Sequence, residues 1–252
     1  NPRDGFADPY LALQGYADAV REQGVDVRTK TAVTGVRLDD GRVVGVDVAG
    51  DGAPSDGHIE ADAVVNATGP WAAELAAMAG VDIPVEPQRR QALVVDPERP
   101  VPEDDPLTID LETSSHFRPE RDGAAVVGGY FDTEPERADP DAYAESYDVD
   151  WAVETVERAA VYCEYFGDGT RLRRGWAGLY AVTPDHHPII EESIPGFVQA
   201  VGFSGHGFQH APATGRVVAE LLLDGEASTV DVSDLASDRF EGTDLLHERN
   251  VA

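Results

Sequence analysis

The stretch Gly202–Leu223, GFSGHGFQHAPATGRVVAELLL, limits what this chain can fold into more than any other part of it. Gly202, Ser204, Gly205 and Gly207 crowd a short loop between the apolar run FVQAVG and an apolar-periodic run. The periodicity predicts a helix from near Pro212, a residue suited to a first helical position, to a stop at Gly225. Glycines there let backbone N–H groups approach a ligand closely, and a helix start adds positive dipole. The combination reads as a cradle for something large, flat and partly anionic. A second stretch, VVNATGPWAAELAAMAG at Val64–Gly80, is its companion.

The remaining segments are arranged around these two. Asp8-Pro9 opens a predicted helix to about Gln23, closed by Gly24, with Leu13, Tyr16, Ala17 and Val20 on one face. VDVRT, TAVTGVRL, a turn at Asp39-Asp40-Gly41 and RVVGVDV read as a β-meander with AGDGAPSDG as its exposed tip. IEADAVVNATG reads as a strand buried on both faces, ending at Thr68-Gly69-Pro70 before a short helix closed at Gly80. From Val85, QALVVD, LTIDL, SSHFRP and AAVVGGY are short strands between Pro- and Gly-containing turns, as in an antiparallel sheet. Residues 150–166 read as an amphipathic helix with Val153, Val156, Ala160 and Cys163 on one stripe. RRGWAGLYAVTPDHHPII returns to strand. The tail from Glu226 is polar but carries Phe240, Leu245 and Leu246.

The expected fold is mixed α/β (α+β), part of a Rossmann-like nucleotide domain interleaved with an antiparallel-sheet substrate domain. The expected division is 1–85 for the first, incomplete nucleotide-domain segment, 86–170 for the sheet, 171–225 for the second segment and 226–252 for a tail. With 252 residues, 42% of them hydrophobic, one large domain or two small ones can bury a core.

Charge excludes some functions. The 48 acidic residues outnumber 19 basic ones, giving a net charge of -29, and Lys30 is the only lysine. The excess is spread along the chain, which reads as adaptation to a high-salt cytoplasm that screens the repulsion. It argues against nucleic acid. The single cysteine, Cys163, leaves no internal disulfide or cysteine-cluster metal site. No run approaches ~18 apolar residues and no signal peptide is visible, so no membrane span is expected. His186-His187 is read as a structural turn, since adjacent strand residues point to opposite faces and no Cys or acidic partner set accompanies them. The site set therefore contains no metal ligand.

NATGPWA (Asn66–Ala72), GWAGLY with TPDHHPII (Gly175–Ile190) and GFSGHGFQHAPATGR (Gly202–Arg216) carry a family likeness. The chain resembles the C-terminal portion of the D-amino-acid oxidase-like flavoproteins, within them the sarcosine oxidase beta-subunit and dimethylglycine dehydrogenase branch. The resemblance implies FAD as cofactor. It implies that Ala67, Thr68, Gly69 and Trp71 lie against FAD, that Val33 touches the adenine side through its backbone, and that Gly178 and Leu179 pass the flavin. Gly205, His206, Gly207, Phe208 and Gln209 are placed near the flavin pyrimidine ring, where backbone N–H groups would stabilise charge on the reduced ring. Read alone, ATG is a plain strand-to-helix turn; beside the glycine loop, cofactor contact is the better reading. Tyr180 is the candidate catalytic residue, and Arg118 and Arg90 are candidates for gripping a substrate carboxylate. His206 is taken as cofactor-proximal rather than as a base.

Departures from the family pattern carry further expectations. No G-x-G-x-x-G turn stands between a strand and a helix, and the chain starts at Asn1, so a preceding segment or a partner chain is expected to complete FAD binding. Some relatives tether flavin through a cysteine at about Gly178; its absence implies noncovalent FAD. Val127 stands where sarcosine oxidase-like members carry an oxygen-activating lysine, and Phe131 near where they carry a histidine. Both losses favour a dehydrogenase that passes electrons to a protein or quinone. The expected activity is oxidation of the C–N bond of a small or N-methylated amino acid such as sarcosine or dimethylglycine. The alternative is a non-catalytic flavin-binding assembly or scaffold protein of the same fold.

Overall fold

The computed structural model describes residues 5–131, 137–242 and 245. Helix α1 (Pro9–Glu22) starts as its residues require: the Asp8 carboxylate accepts from the Tyr10 and Leu11 N–H groups at 2.9 and 3.1 Å, Pro9 opens the first turn, and Gly24 at φ 83 follows the end. None of its side chains is buried, and Leu11, Leu13 and Tyr16 stand exposed. VDVRT forms no strand. The hairpin of β1 (Ala32–Asp39) and β2 (Arg42–Ala49) turns at Asp40 and Gly41, φ 47 and 79, the pair of positive values a two-residue hairpin turn needs. β3 (His58–Glu60) pairs with β2 to complete the meander.

β4 (Val64–Asn66) then leads through a 3-10 turn, Gly69–Trp71, into α2 (Ala72–Met78), with Gly80 at φ 74 beyond it. The long β5 (Glu86–Asp96), β6 (Thr108–Asp110), β7 (Ser115–Pro119) and β8 (Ala125–Gly129) follow, then α3 (Val149–Tyr162) and β9 (Arg171–Val182). β10 (Ile189–Ile194), β11 (Phe197–Val201) and α4 (Gly207–Asp224) complete the regular elements.

Two further sheets stand beside the meander. One has the order β10-β11-β4, with β11 antiparallel to β10 and parallel to β4. The other is antiparallel in the order β6-β7-β8-β5-β9, and β9 pairs with β5 from Glu86↔Val182 to Asp96↔Arg171. α2 packs on the small sheet through Ala72, Leu75 and Ala76 against Ile189, Phe197 and Val201. α3 covers one face of the large sheet, burying Leu93, Val95, Phe117 and Val127 under Ala152 and Ala159. Phe117 and Phe166 meet edge to face at 5.2 Å.

Two expectations change here. The buried stripe of α3 is Ala152, Thr155 and Ala159, while Val153 and Ala160 face water. Small side chains bring this helix close to the sheet, and the Thr155 hydroxyl donates to the Trp151 carbonyl at 2.8 Å, so its burial leaves no polar atom unpaired. The run ending in NATG is not buried on both faces, because Val65 is 37% exposed and opens onto the groove described below.

The tail is clamped. Arg239 grips Asp185 through two bonds, 2.8 and 3.1 Å, and also donates to the His187 carbonyl at 2.8 Å. Burial alone would raise the Asp185 carboxyl, but Arg239 and the His187 N–H hold it below the usual carboxylate range. Phe240 packs against the small-sheet core. Leu246 and the other residues past 242, except Leu245, lie outside the described residues.

Candidate functional site

β4 and β11 run parallel and end side by side, so their C-terminal ends deliver Ala67–Gly69 and the loop after Val201 to one place. Asn66, fully buried, shapes the first turn. Its amide donates to the Ala72 carbonyl and to Gln199 Oε1, both at 2.9 Å, and its Oδ1 accepts from the Thr68 N–H and hydroxyl at 3.2 and 2.7 Å. In the second turn the left-handed residues are Gly202, Ser204 and Gly205, at φ 74, 50 and 95. The Ser204 N–H ties the loop to the Ala181 carbonyl at 2.9 Å. A Cβ on Gly205 would overlap the Tyr180 ring.

α4 starts at Gly207 rather than near Pro212, which sits inside it. The proline removes only the bond to the Phe208 carbonyl, at an exposed helix end where water can replace it. Gly207 is thus a helical residue without positive φ, and the backbone strain of this loop falls on Gly205 instead. No side chain caps α4 and no acidic residue stands in its first turn, so its positive end is uncompensated.

These turns wall a groove of about 500 Å³. Val65, Ala67 and Gly69 line one side, Leu179 and Tyr180 another, and Gly205, Gly207 and Gly215 a third. Nothing lies within 4 Å of where a Cβ would project from Gly69 or Gly215. The space in front of those glycines is therefore unused by the protein, which is what close approach of a flat ring requires.

Beside the groove, the large sheet is hollowed on the face away from α3. Cross-strand register places His116, Gly128, Ala92 and Trp176 in one row, and Arg90 opposite Gly178 in the next. The two smallest residues sit mid-row, and the resulting hollow, about 170 Å³, is lined by Arg90, His116, Trp176, Gly178, Leu179 and Tyr180 among others. The Arg90 guanidinium lies over the Tyr130 ring at 4.0 Å and the Tyr180 ring at 5.5 Å, and donates to Gln88 Oε1 at 2.7 Å. Burial pushes the Tyr180 hydroxyl up, with Arg90 opposing. Burial pushes the His116 imidazole down, and Arg118 acts in the same direction. Leu179 and Tyr180 line both spaces, so groove and hollow share a wall.

The residues singled out from sequence divide accordingly. Ala67, Gly69, Gly205 and Gly207 line the groove, Gly178 and Arg90 the hollow, and Leu179 and Tyr180 both. Thr68 is tied back to Asn66, and Trp71 donates its indole N–H to Asp141 at 2.9 Å. Val33 lies in the meander on β1. His206, Phe208 and Gln209 stand at the start of α4 without lining the groove, His206 with its ring 6.2 Å from that of His210. Arg118 faces Glu120 at 3.4 Å and the Phe6 ring at 5.3 Å, outside the hollow's lining. Val127 is turned into the core under α3, so it does not face the hollow; Val126 and Gly128 are the residues of β8 on that side. Phe131 stacks on Trp151, beneath Arg158. His186 and His187 form the turn that Asp185 and Arg239 clamp.

Sequence reasoning missed His116, Trp176 and the Asn66–Gln199 pair. Alternation in SSHFRP already set His116 opposite the core residue Phe117; what the hollow adds is its row of partners from three other strands.

A glycine-lined groove at the ends of parallel strands, joined to a cationic hollow on an antiparallel sheet, is the layout of a two-part cofactor-dependent oxidoreductase. Residues 1–221 match the model of the family described as DAO, FAD dependent oxidoreductase. The chain belongs to this family of FAD-using enzymes, as its resemblance implied. It is 32% identical to FAD-dependent oxidoreductase domain-containing protein 1 of Xenopus laevis, over 77% of this chain and 41% of that protein. It is 31% identical to sarcosine oxidase subunit beta of Rhodobacter capsulatus, over 88% of this chain and 50% of the relative. The solved L-proline dehydrogenase from P. horikoshii superposes with TM-score 0.79 at 30% identity, covering 96% of this chain and 62% of that one. The chain thus spans about half the length of the curated relatives it matches. No helix among the described residues is long and apolar enough to cross a membrane.

Proposed function

We propose that this chain forms the flavin-ring groove and substrate pocket of an FAD-dependent enzyme that oxidises the C–N bond of a small or N-methylated amino acid. The observation that carries this reading is the wall shared by groove and hollow at Leu179 and Tyr180. A ring in the groove and a small amine in the hollow would be in contact across it. A hollow of about 170 Å³ suits a molecule of sarcosine or proline size, and two of the relatives are named for those substrates. In this reading residues 1–85 and 171–225 serve the cofactor and 86–170 the substrate, with β9 of the second segment also lining the hollow through Trp176 and Tyr180. The tail fastens to the second segment at Asp185, Glu191 and Glu220.

The open glycines Gly69 and Gly215 and the uncapped start of α4 fit FAD. When bound, FAD supplies the acceptor for the hydride that leaves the carbon beside the substrate nitrogen. The chain's residues do the rest. Arg90, braced between two tyrosine rings, orients a carboxylate. Leu179, Trp176 and Ala92 exclude water from the hollow. The uncapped start of α4 at Gly207 favours negative charge at its end of the groove. Gly178 offers no thiol, so the cofactor is held noncovalently here.

A dehydrogenase is favoured over an oxidase because no lysine faces the hollow: β8 presents Val126 and Gly128, and the only lysine, Lys30, precedes β1. The electron acceptor would be a protein or a quinone. The test is anaerobic mixing of the flavin-loaded protein with sarcosine, dimethylglycine, proline and D-amino acids. Bleaching of the flavin by one of the small amines, with slow reoxidation by air and fast reoxidation by a quinone, is expected. Bound flavin that none of them reduces would instead mark a flavin-binding assembly protein. The acidic surface adds an expectation of its own, that the unfolding midpoint climbs from low to molar KCl; a flat trend contradicts a high-salt habitat.

A further inference from the structure

We propose that His116 positions the amine of the bound amino acid, its Nε2 accepting a hydrogen from the substrate nitrogen while Arg90 takes the carboxylate. This rests on the reading of the hollow as the substrate pocket and assigns the half of the substrate that Arg90 leaves unrecognised.

An amino acid brings two polar ends into the pocket. Arg90 matches the carboxylate, but it would repel a protonated nitrogen, and among the described residues no carboxylate side chain lines the hollow to receive one. The nitrogen needs an acceptor. Gln91 lines the edge, but its amide is committed to Asp148, donating to Oδ2 at 3.1 Å and accepting from the backbone N–H at 2.7 Å. The Trp176 indole can only donate. Tyr180 and His116 remain, and Tyr180 also forms the groove wall, packed by Gly205.

His116 is built into this place. Its ring leans across β8 over Gly128, so close that a Cβ there would lie 2.6 Å from Nε2. That glycine gives the imidazole its room, and Nε2 leads toward the row formed with Ala92 and Trp176. Nδ1 is buried with no hydrogen-bond partner among the described residues, so none of them dictates which ring nitrogen carries the proton. Arg118 stands two residues on along β7, on the same face, and Arg90 and Tyr180 line the same hollow from β5 and β9. Burial, with Arg118 acting in the same direction, pushes the imidazole down and so favours its neutral form, which has a lone pair to offer.

Matched ligands test the assignment without turnover. 2-Methylalanine and pivalate share shape and carboxylate, and differ by an amine in place of a methyl group; neither has a hydrogen on the α-carbon. Their dissociation constants are read from the absorbance change of bound flavin. The native protein should prefer 2-methylalanine by about tenfold or more, the scale of one hydrogen bond to a charged group. His116→Ala should abolish that preference while pivalate binding moves less than about twofold, and His116→Gln, whose amide reaches the Nε2 position, should restore most of it. Should His116→Ala fold poorly, Gly128→Ala, which displaces the ring, is expected to give the same loss. Equal weakening of both ligands would make His116 a mere wall, and a preference that survives in His116→Ala but vanishes in Tyr180→Phe would pass the role to Tyr180; either overturns the proposal. Failure of the pocket reading looks different: the native protein would bind neither ligand, or Arg90→Gln would leave pivalate binding intact. The first of these removes the inference together with the pocket, and the second leaves the amine preference as its independent measure.

Discussion

The two faces of the five-stranded sheet use the same strands for opposite purposes. On the face toward α3, Leu93, Val95, Phe117 and Val127 are buried and the helix supplies small residues that close the gap. On the other face the alternate rows carry Gly128, Ala92 and Gly178, and the larger side chains at their ends, His116, Trp176 and Arg90, surround a space instead of filling it. Because side chains alternate along a strand, one row of residues builds a core and the next builds a pocket. Volume missing from the second face is what a ligand can use.

The largest expected effect breaks this contrast by a paired substitution. Phe117→Ala on the closed face should lower stability by about 3–5 kcal/mol, as core aromatics do. Trp176→Ala on the open face should change it by under about 1 kcal/mol, in the range of exposed positions. Urea unfolding of the two variants decides, and equal losses would mean that the hollow is packed in solution.

Gly205 sits on the open side, yet it is a structural hinge. Alanine there must adopt φ near 95 and overlap the Tyr180 ring. A loss of about 1–3 kcal/mol is expected from the backbone alone, together with a displaced Tyr180 seen in the near-ultraviolet circular dichroism. Unchanged stability would show that the loop relaxes freely and does not brace the shared wall.

A smaller effect belongs to the junction of α4 with the tail, apart from both faces. Glu220 is held to about 2, against an ordinary 4.5, by the Thr229 hydroxyl and N–H and by Arg216. A carboxyl lowered on folding stabilises the protein above its ordinary value, and that contribution fades as pH falls from about 4.5 toward 2. Acid unfolding followed by fluorescence should be shallower in Glu220→Gln across that window. An identical slope would mean that the tail is not latched through this group.

Much of this contrast was legible from local patterns. The Asp39-Asp40-Gly41 hairpin, the Asp8-Pro9 helix start and the alternation in β5 and β7 each follow from a few neighbouring residues. The apolar residues of 150–166 showed a helix but not its buried side, because Thr155 hides its hydroxyl inside the helix and reads as polar in the sequence. The glycine loop announced the groove, yet Pro212 misplaced its helix by several residues, since one lost bond at an exposed end is cheap. The hollow was the least legible part. It depends on register between β7, β8, β5 and β9, which brings His116 level with Trp176, and no short window of sequence holds that information. The Asp185–Arg239 clamp, joining residues far apart in sequence, was invisible for the same reason.

Gly215→Leu in the flavin-loaded protein tests the central claim most directly. The position lies within α4, nothing approaches within 4 Å of where its side chain would start, and it lines the groove. Leucine should preserve the fold or strengthen it by up to about 1 kcal/mol through helix propensity. It should also fill the space assigned to the flavin ring. The dissociation constant of flavin, titrated by absorbance at unchanged or raised melting temperature, should rise at least about tenfold, the effect of roughly 1.4 kcal/mol of lost binding. An unchanged dissociation constant in a stably folded Gly215→Leu variant would contradict the claim that this groove is where the cofactor lies.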